Sequence, residues 1–123
     1  MKKNYTLIDG IALHKSFPAT FDVPSADEID RLEVGMFAKI GVEFNRTRIT
    51  RDATATLRRT ADPDRLTCGE RFWVEITNIN GNIFDGMIDN KLIYSTYHGL
   101  WMRDKIRFGR RHILETLHVT GIP

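Results

Sequence analysis

The chain has 123 residues, 41% hydrophobic and 28% charged, which is enough for one domain with its own core and no structural metal or disulfides. Lys and Arg total 18 against 16 Asp and Glu, a formal charge of +2 that excludes a wholesale polyanion binder. A single cysteine excludes a disulfide framework or a Cys-rich zinc site and suits a reducing compartment. No apolar run approaches the roughly 20 residues that cross a bilayer, and Asp9, Gly10 and His14 interrupt the segment after the basic start, so no signal peptide is read. The expectation is one cytoplasmic domain over 1–123 that does not engage a membrane, with 1–16 as an N-terminal segment.

The first element is a short helix. Ser25 and Glu28 have the spacing of a capping box, and Asp27 and Glu28 place negative charge at the helix N-terminus. Ile29, Leu32 and Val34 supply its apolar side, and Gly35 stands where a left-handed stop is expected. Met36, Ala38, Ile40, Val42 and Phe44 then alternate with Lys39 and Glu43, the period of a half-buried strand. Residues 45–68 form an Arg-rich insertion or long loop.

A second strand is read at Arg71–Thr77, followed by a hairpin through Asn80-Gly81 and a return over Ile83–Asn90. A plain two-residue loop at Asn80-Gly81 would put Asp85, Met87 and Asp89 beside Phe72, Val74 and Ile76. A register shifted by one residue instead matches Phe72, Val74 and Ile76 with Asn90 or its neighbour, Ile88, Gly86 and Phe84, nearly all apolar, so a bulge or longer loop is expected at Asn80-Gly81. Lys91–Tyr94 reads as a further short strand, Tyr97–Trp101 as a loop, Asp104–Phe108 as a strand and Arg110–Leu114 as a closing turn. The expected fold class is α+β: a small, strongly bent antiparallel sheet or partly open barrel with one short N-terminal helix.

Ordered blocks at Phe21–Ser25, Leu32–Lys39, Gly69–Thr77, Gly86–Asn90 and Asp104–Phe108 resemble the YegJ-like family of uncharacterised bacterial domains. The most specific block is Glu70-Arg71-Phe72-Trp73-Val74, followed by a hairpin return of the Gly-x-Leu-x-Asn type at Gly86–Asn90. The resemblance spans about Phe17 to Glu115. It departs at Phe72, where methionine is usual, at Lys91, where proline commonly follows, and in the longer insertion from Arg46 to Cys68. The resemblance implies a small β-rich fold and brings no catalytic residues with it.

Three groups of residues are candidates for binding. Arg71, Trp73, Glu75, Met87 and Asp89 share the face opposite the core, and a large aromatic flanked by charges has the composition of a contact hot spot for a protein partner or a second copy. The plainer alternative is that Trp73 is core and Arg71 and Glu75 form a cross-face ion pair. Asn90, Tyr94, Tyr97, His98 and Trp101 form a loop set that could line a small-molecule or enzyme pocket; alternatively Asn90 bonds a turn backbone and the aromatics plug the end of a barrel. Arg46, Arg48, Arg51, Arg58 and Arg59 offer forked donors for phosphate or a nucleic-acid backbone, against a solvated loop whose charge is partly cancelled by Asp52, Asp62 and Asp64.

Catalytic signals are weak. Nothing places His14, His98, His112 or His118 beside Cys68, no spacing matches a zinc motif, and Asp85 with Asp89 supplies too few oxygens for a hard cation. The sequence therefore points to no catalytic residue, metal or cofactor. A non-enzymatic binding or regulatory module is favoured, with a nucleic-acid or phosphate binder and a pocket enzyme as the alternatives.

Overall fold

A computed structural model describes residues 4–19, 21–45 and 67–120. In chain order the elements are β1 (Thr6–Leu7), α1 (Gly10–Ser16), α2 (Ala26–Asp30), β2 (Phe37–Asn45), β3 (Thr67–Asn80), β4 (Ile83–Ile88), α3 (Ser95–His98), β5 (Lys105–Gly109), a 3-10 turn at Arg110–His112 and β6 (Glu115–Leu117). The strands form one antiparallel sheet in the order β1-β2-β3-β4-β5, and β6 also pairs with β2. On the side away from β3, β2 meets β1 at Val42 and Glu43 and β6 at Phe37 to Lys39. The result is a small, mostly-strand domain whose sheet curls strongly into a half-barrel.

Alternation along the strands decides what fills the curl. Ala38, Ile40, Val42 and Phe44 of β2, Phe72, Val74 and Ile76 of β3, Phe84 and Ile88 of β4, and Ile106 and Phe108 of β5 are all buried in one cluster. Apart from Ala38, each of these side chains contributes about 1.5–3 kcal/mol when removed from water. Phe84 and Phe108 stack across the β4–β5 pair at 5.5 Å between centroids. Ile29 and Leu32 close the cluster from the α2 segment, whereas Val34 turns outward beside Gly35, which takes φ +96. The capping box of α2 forms: the Glu28 N–H donates to Ser25 Oγ at 3.1 Å and the Ser25 N–H to Glu28 Oε1 at 3.2 Å.

The hairpin has the shifted pairing, reached by a different route. Val74 faces Ile88 and Ile76 faces Gly86, but the irregularity lies between Ile76 and Asn78, several residues before the turn. Thr77 is the extra residue. Beyond it Asn80 pairs with Ile83, so Gly81 and Asn82 form a tight connection, with Gly81 at φ +62 as a type II′ turn requires of its first central residue. Bulging inside the strand lets a short turn coexist with an apolar inward face.

Two elements were hidden in the N-terminal segment. Asp9 caps α1 by accepting the Ala12 N–H at 3.0 Å, and its other oxygen holds Arg111 Nε at 2.6 Å. Together these bonds outweigh the raising effect of burial and leave the Asp9 carboxyl below its ordinary range. Lys91–Tyr94 is not a strand, because its backbone donors go to a side chain rather than to a neighbouring strand.

Candidate functional site

The side of the sheet away from the core carries the first set of expected residues. Phe72, Val74 and Ile76 are each at most 1% exposed, so strand alternation sends Arg71, Trp73 and Glu75 to the opposite side. Trp73 is half-buried there. It pairs in register with Lys39, whose Nζ lies 5.3 Å from the indole centroid and 2.9 Å from Glu115 Oε2. A cation held over an aromatic face by a carboxylate fixes the ring's orientation.

Met87 lies in register between Glu75 on β3 and Lys105 on β5. Toward the hairpin, Asp85 takes Arg107 Nε at 2.8 Å and Nη2 at 3.3 Å, and these donors hold its carboxyl below the usual carboxylate range. Asp89 is exposed just beyond the end of β4, and its N–H donates to the Trp73 carbonyl at 2.9 Å. Asn90 Oδ1 accepts the Trp73 N–H, so a side chain continues the ladder where β4 stops. Arg71, Trp73, Glu75, Met87 and Asp89 therefore belong to one surface, and Asn90 supports it from the edge. Arg71 does not bond Glu75; its guanidinium carbon lies 5.1 Å from the Phe21 ring centroid.

Arg71 also borders a groove of about 430 Å³, walled by Phe21, Val23 and Pro24 on one side and Glu115 and Thr116 on the other. The wall is pinned by His14, whose Nδ1–H donates to the Phe21 carbonyl at 2.6 Å. The groove opens next to the Lys39–Glu115 pair and so adjoins the Trp73 surface.

The loop set divides. His98 is fully buried, donates Nε2–H to Glu70 Oε1 at 2.9 Å and accepts the Leu100 N–H on Nδ1 at 3.0 Å. An acceptor role at Nδ1 puts the single ring proton on Nε2. Phe44 packs edge-on against the imidazole at 5.1 Å and also contacts Tyr94 and Tyr97. Trp101, by contrast, is 47% exposed on the turn that follows. His98, Tyr94 and Tyr97 thus cluster against the core and present no imidazole face to a ligand, while Trp101 points elsewhere.

Glu70 was missed in the reading of the sequence. Its carboxylate gathers the N–H groups of Ile93 and Tyr94 at 2.7 and 3.0 Å as well as His98, with the side chain 8% exposed. A signal existed: Glu70 has the same strand parity as Phe72 and Val74, so it points inward, and a charge at an inward position must find donors. Lys39, Lys105 and Arg107 were likewise unmarked, although each shares the outward parity of Trp73.

Arg46, Arg48, Arg51, Arg58 and Arg59 lie outside the described residues. Among the described residues no group of three or more His, Cys, Asp or Glu could hold a metal ion, and no helix is long and apolar enough to cross a membrane. No protein-family model, curated protein or solved structure matches the chain.

Proposed function

We propose that the protein is a non-enzymatic binding module that presents the outer side of β3 and β4, centred on Trp73, to a protein partner. The observation that carries this reading is a half-buried indole on the side of the sheet away from the core that Phe72, Val74 and Ile76 fill. A large aromatic already fixed by Lys39 loses little side-chain freedom on contact, and the charged residues around it supply a rim. The YegJ-like resemblance belongs to the same proposal, since its most specific blocks, Glu70–Val74 and Gly86–Asn90, fall on the hairpin that builds this surface. A cytoplasmic setting is part of it as well, resting on the single cysteine.

Trp73→Ala tests the reading. The variant should keep its circular dichroism spectrum and a cooperative melt while losing association in sedimentation or cross-linking. A variant that no longer folds would assign the indole to the core and end the proposal.

A further inference from the structure

Resting on that reading, we infer that the partner is a second copy of this chain, docked face to face about a two-fold axis that runs along β4 with Met87 at its centre. The outer surface is unevenly charged across the strands. Glu75 stands on β3, half-buried Met87 on β4, and Lys105 on β5, all in one register row. Among the described residues neither Glu75 nor Lys105 has an ion-pair partner, although the charges beside them, Lys39 with Glu115 and Arg107 with Asp85, are paired.

A row of minus, apolar and plus is complementary to itself under one operation only. Rotation by 180° about an axis along β4, lying between the two sheets, exchanges the β3 and β5 sides and leaves β4 over β4. Glu75 then lies over Lys105 of the second copy, Lys105 over its Glu75, and the two Met87 side chains meet. Such an isologous contact satisfies both unpaired charges twice. A two-fold axis across the strands would instead set Glu75 on Glu75. Stacked sheets lie about 10 Å apart; on the convex side of a curled sheet β4 comes nearest and the flanking rows stand further off, a gap that a glutamate from one copy and a lysine from the other cross only because both side chains are long. Asp85 also falls near the axis, where its bidentate Arg107 neutralises it. Asp89 likewise faces its own copy, and of these two like-charge contacts on the axis it is the one that no bonded arginine offsets.

Sedimentation of the full chain over a concentration series reads the outcome. Glu75→Lys and Lys105→Glu should each weaken the dimer by about tenfold or more, because each substitution places like charges at two symmetric sites. The double variant Glu75→Lys/Lys105→Glu should regain most of the wild-type affinity, and Asp89→Asn should tighten the dimer. Unchanged melts in the single variants would show that the fold is intact. Recovery in the double variant supports this geometry; a double variant as weak as the singles overturns it. A wild type that stays monomeric at its highest soluble concentration also overturns the dimer. In that event a cross-link to a different protein that Trp73→Ala abolishes would leave the wider binding reading standing.

Discussion

Replacing Glu70 with glutamine tests how the segment from Ile93 to Leu100 is held. The carboxylate accepts three N–H groups: Ile93 on Oε2, and both Tyr94 and His98 on Oε1. An amide has one acceptor. With its oxygen kept toward Tyr94 and His98, its NH₂ must face the Ile93 N–H, donor against donor. A hydrogen bond to a charged group is worth about 1.5–3 kcal/mol, and the two surviving bonds weaken as the charge is removed, so the total loss is about 2–4 kcal/mol. A domain with about 5–15 kcal/mol of stability stays folded after that loss. Urea titration of Glu70→Gln should show a lower midpoint at unchanged slope, and the Ile93 and Tyr94 amides should exchange faster with solvent. A loss below about 0.5 kcal/mol, within the ordinary range for a surface substitution, with both amides still protected, would refute the anchoring role.

Two further predictions concern titration and packing. His112 accepts the Gly109 N–H on Nδ1 at 2.9 Å, and burial, resisted by the attraction of Asp9 and reinforced by repulsion from Arg111, lowers its pKa. The unfolded chain therefore takes up this proton first, near the ordinary value of about 6.5. The group's contribution to stability is complete above that value and is lost as pH falls through the depressed folded one. Denaturation midpoints at about pH 7.5 and about pH 5.5 should differ more for the wild type than for His112→Asn, and equal losses would remove His112 from the account. Gly86→Ala adds a Cβ 3.1 Å from the Glu75 carbonyl and 3.2 Å from Val74 Cβ, neither of which can swing aside. Calorimetry should register a destabilisation of about 1–3 kcal/mol, and a neutral or stabilised variant would show that the ladder yields there.

The parts of the fold that were legible in the sequence rest on periodicity and local chemistry. Alternation over Met36–Phe44 and Arg71–Thr77 identified the inward face, and Ser25 with Glu28 identified the start of α2. Short elements escaped because partners distant in the chain hold them. β1 contributes two residues that pair only with Val42 and Glu43, and β6 three that pair only with Phe37 to Lys39. Lys91–Tyr94 has strand-like composition, yet the Glu70 carboxylate replaces the neighbouring strand as acceptor for its last two residues. At the candidate surface, parity disclosed the outward direction of Trp73. The cation over its ring and the register row that ends at Lys105 depend on how three strands line up, which no single strand encodes.

Thr77 carries a consequence for how this hairpin can change its length. Two ladders of opposite parity meet at that residue, one running back through Val74 and Ile88 and the other forward to Gly81. Deleting Thr77 would join the two ladders without changing a partner: Asn78 would follow Ile76 as Asp85 precedes Gly86, and Ile79 and Phe84 would stay paired on the inner side of the sheet. The hairpin therefore carries one residue of slack: it can shorten there by a single position without turning a side chain over, whereas a regular ladder with one buried face has to change length in twos.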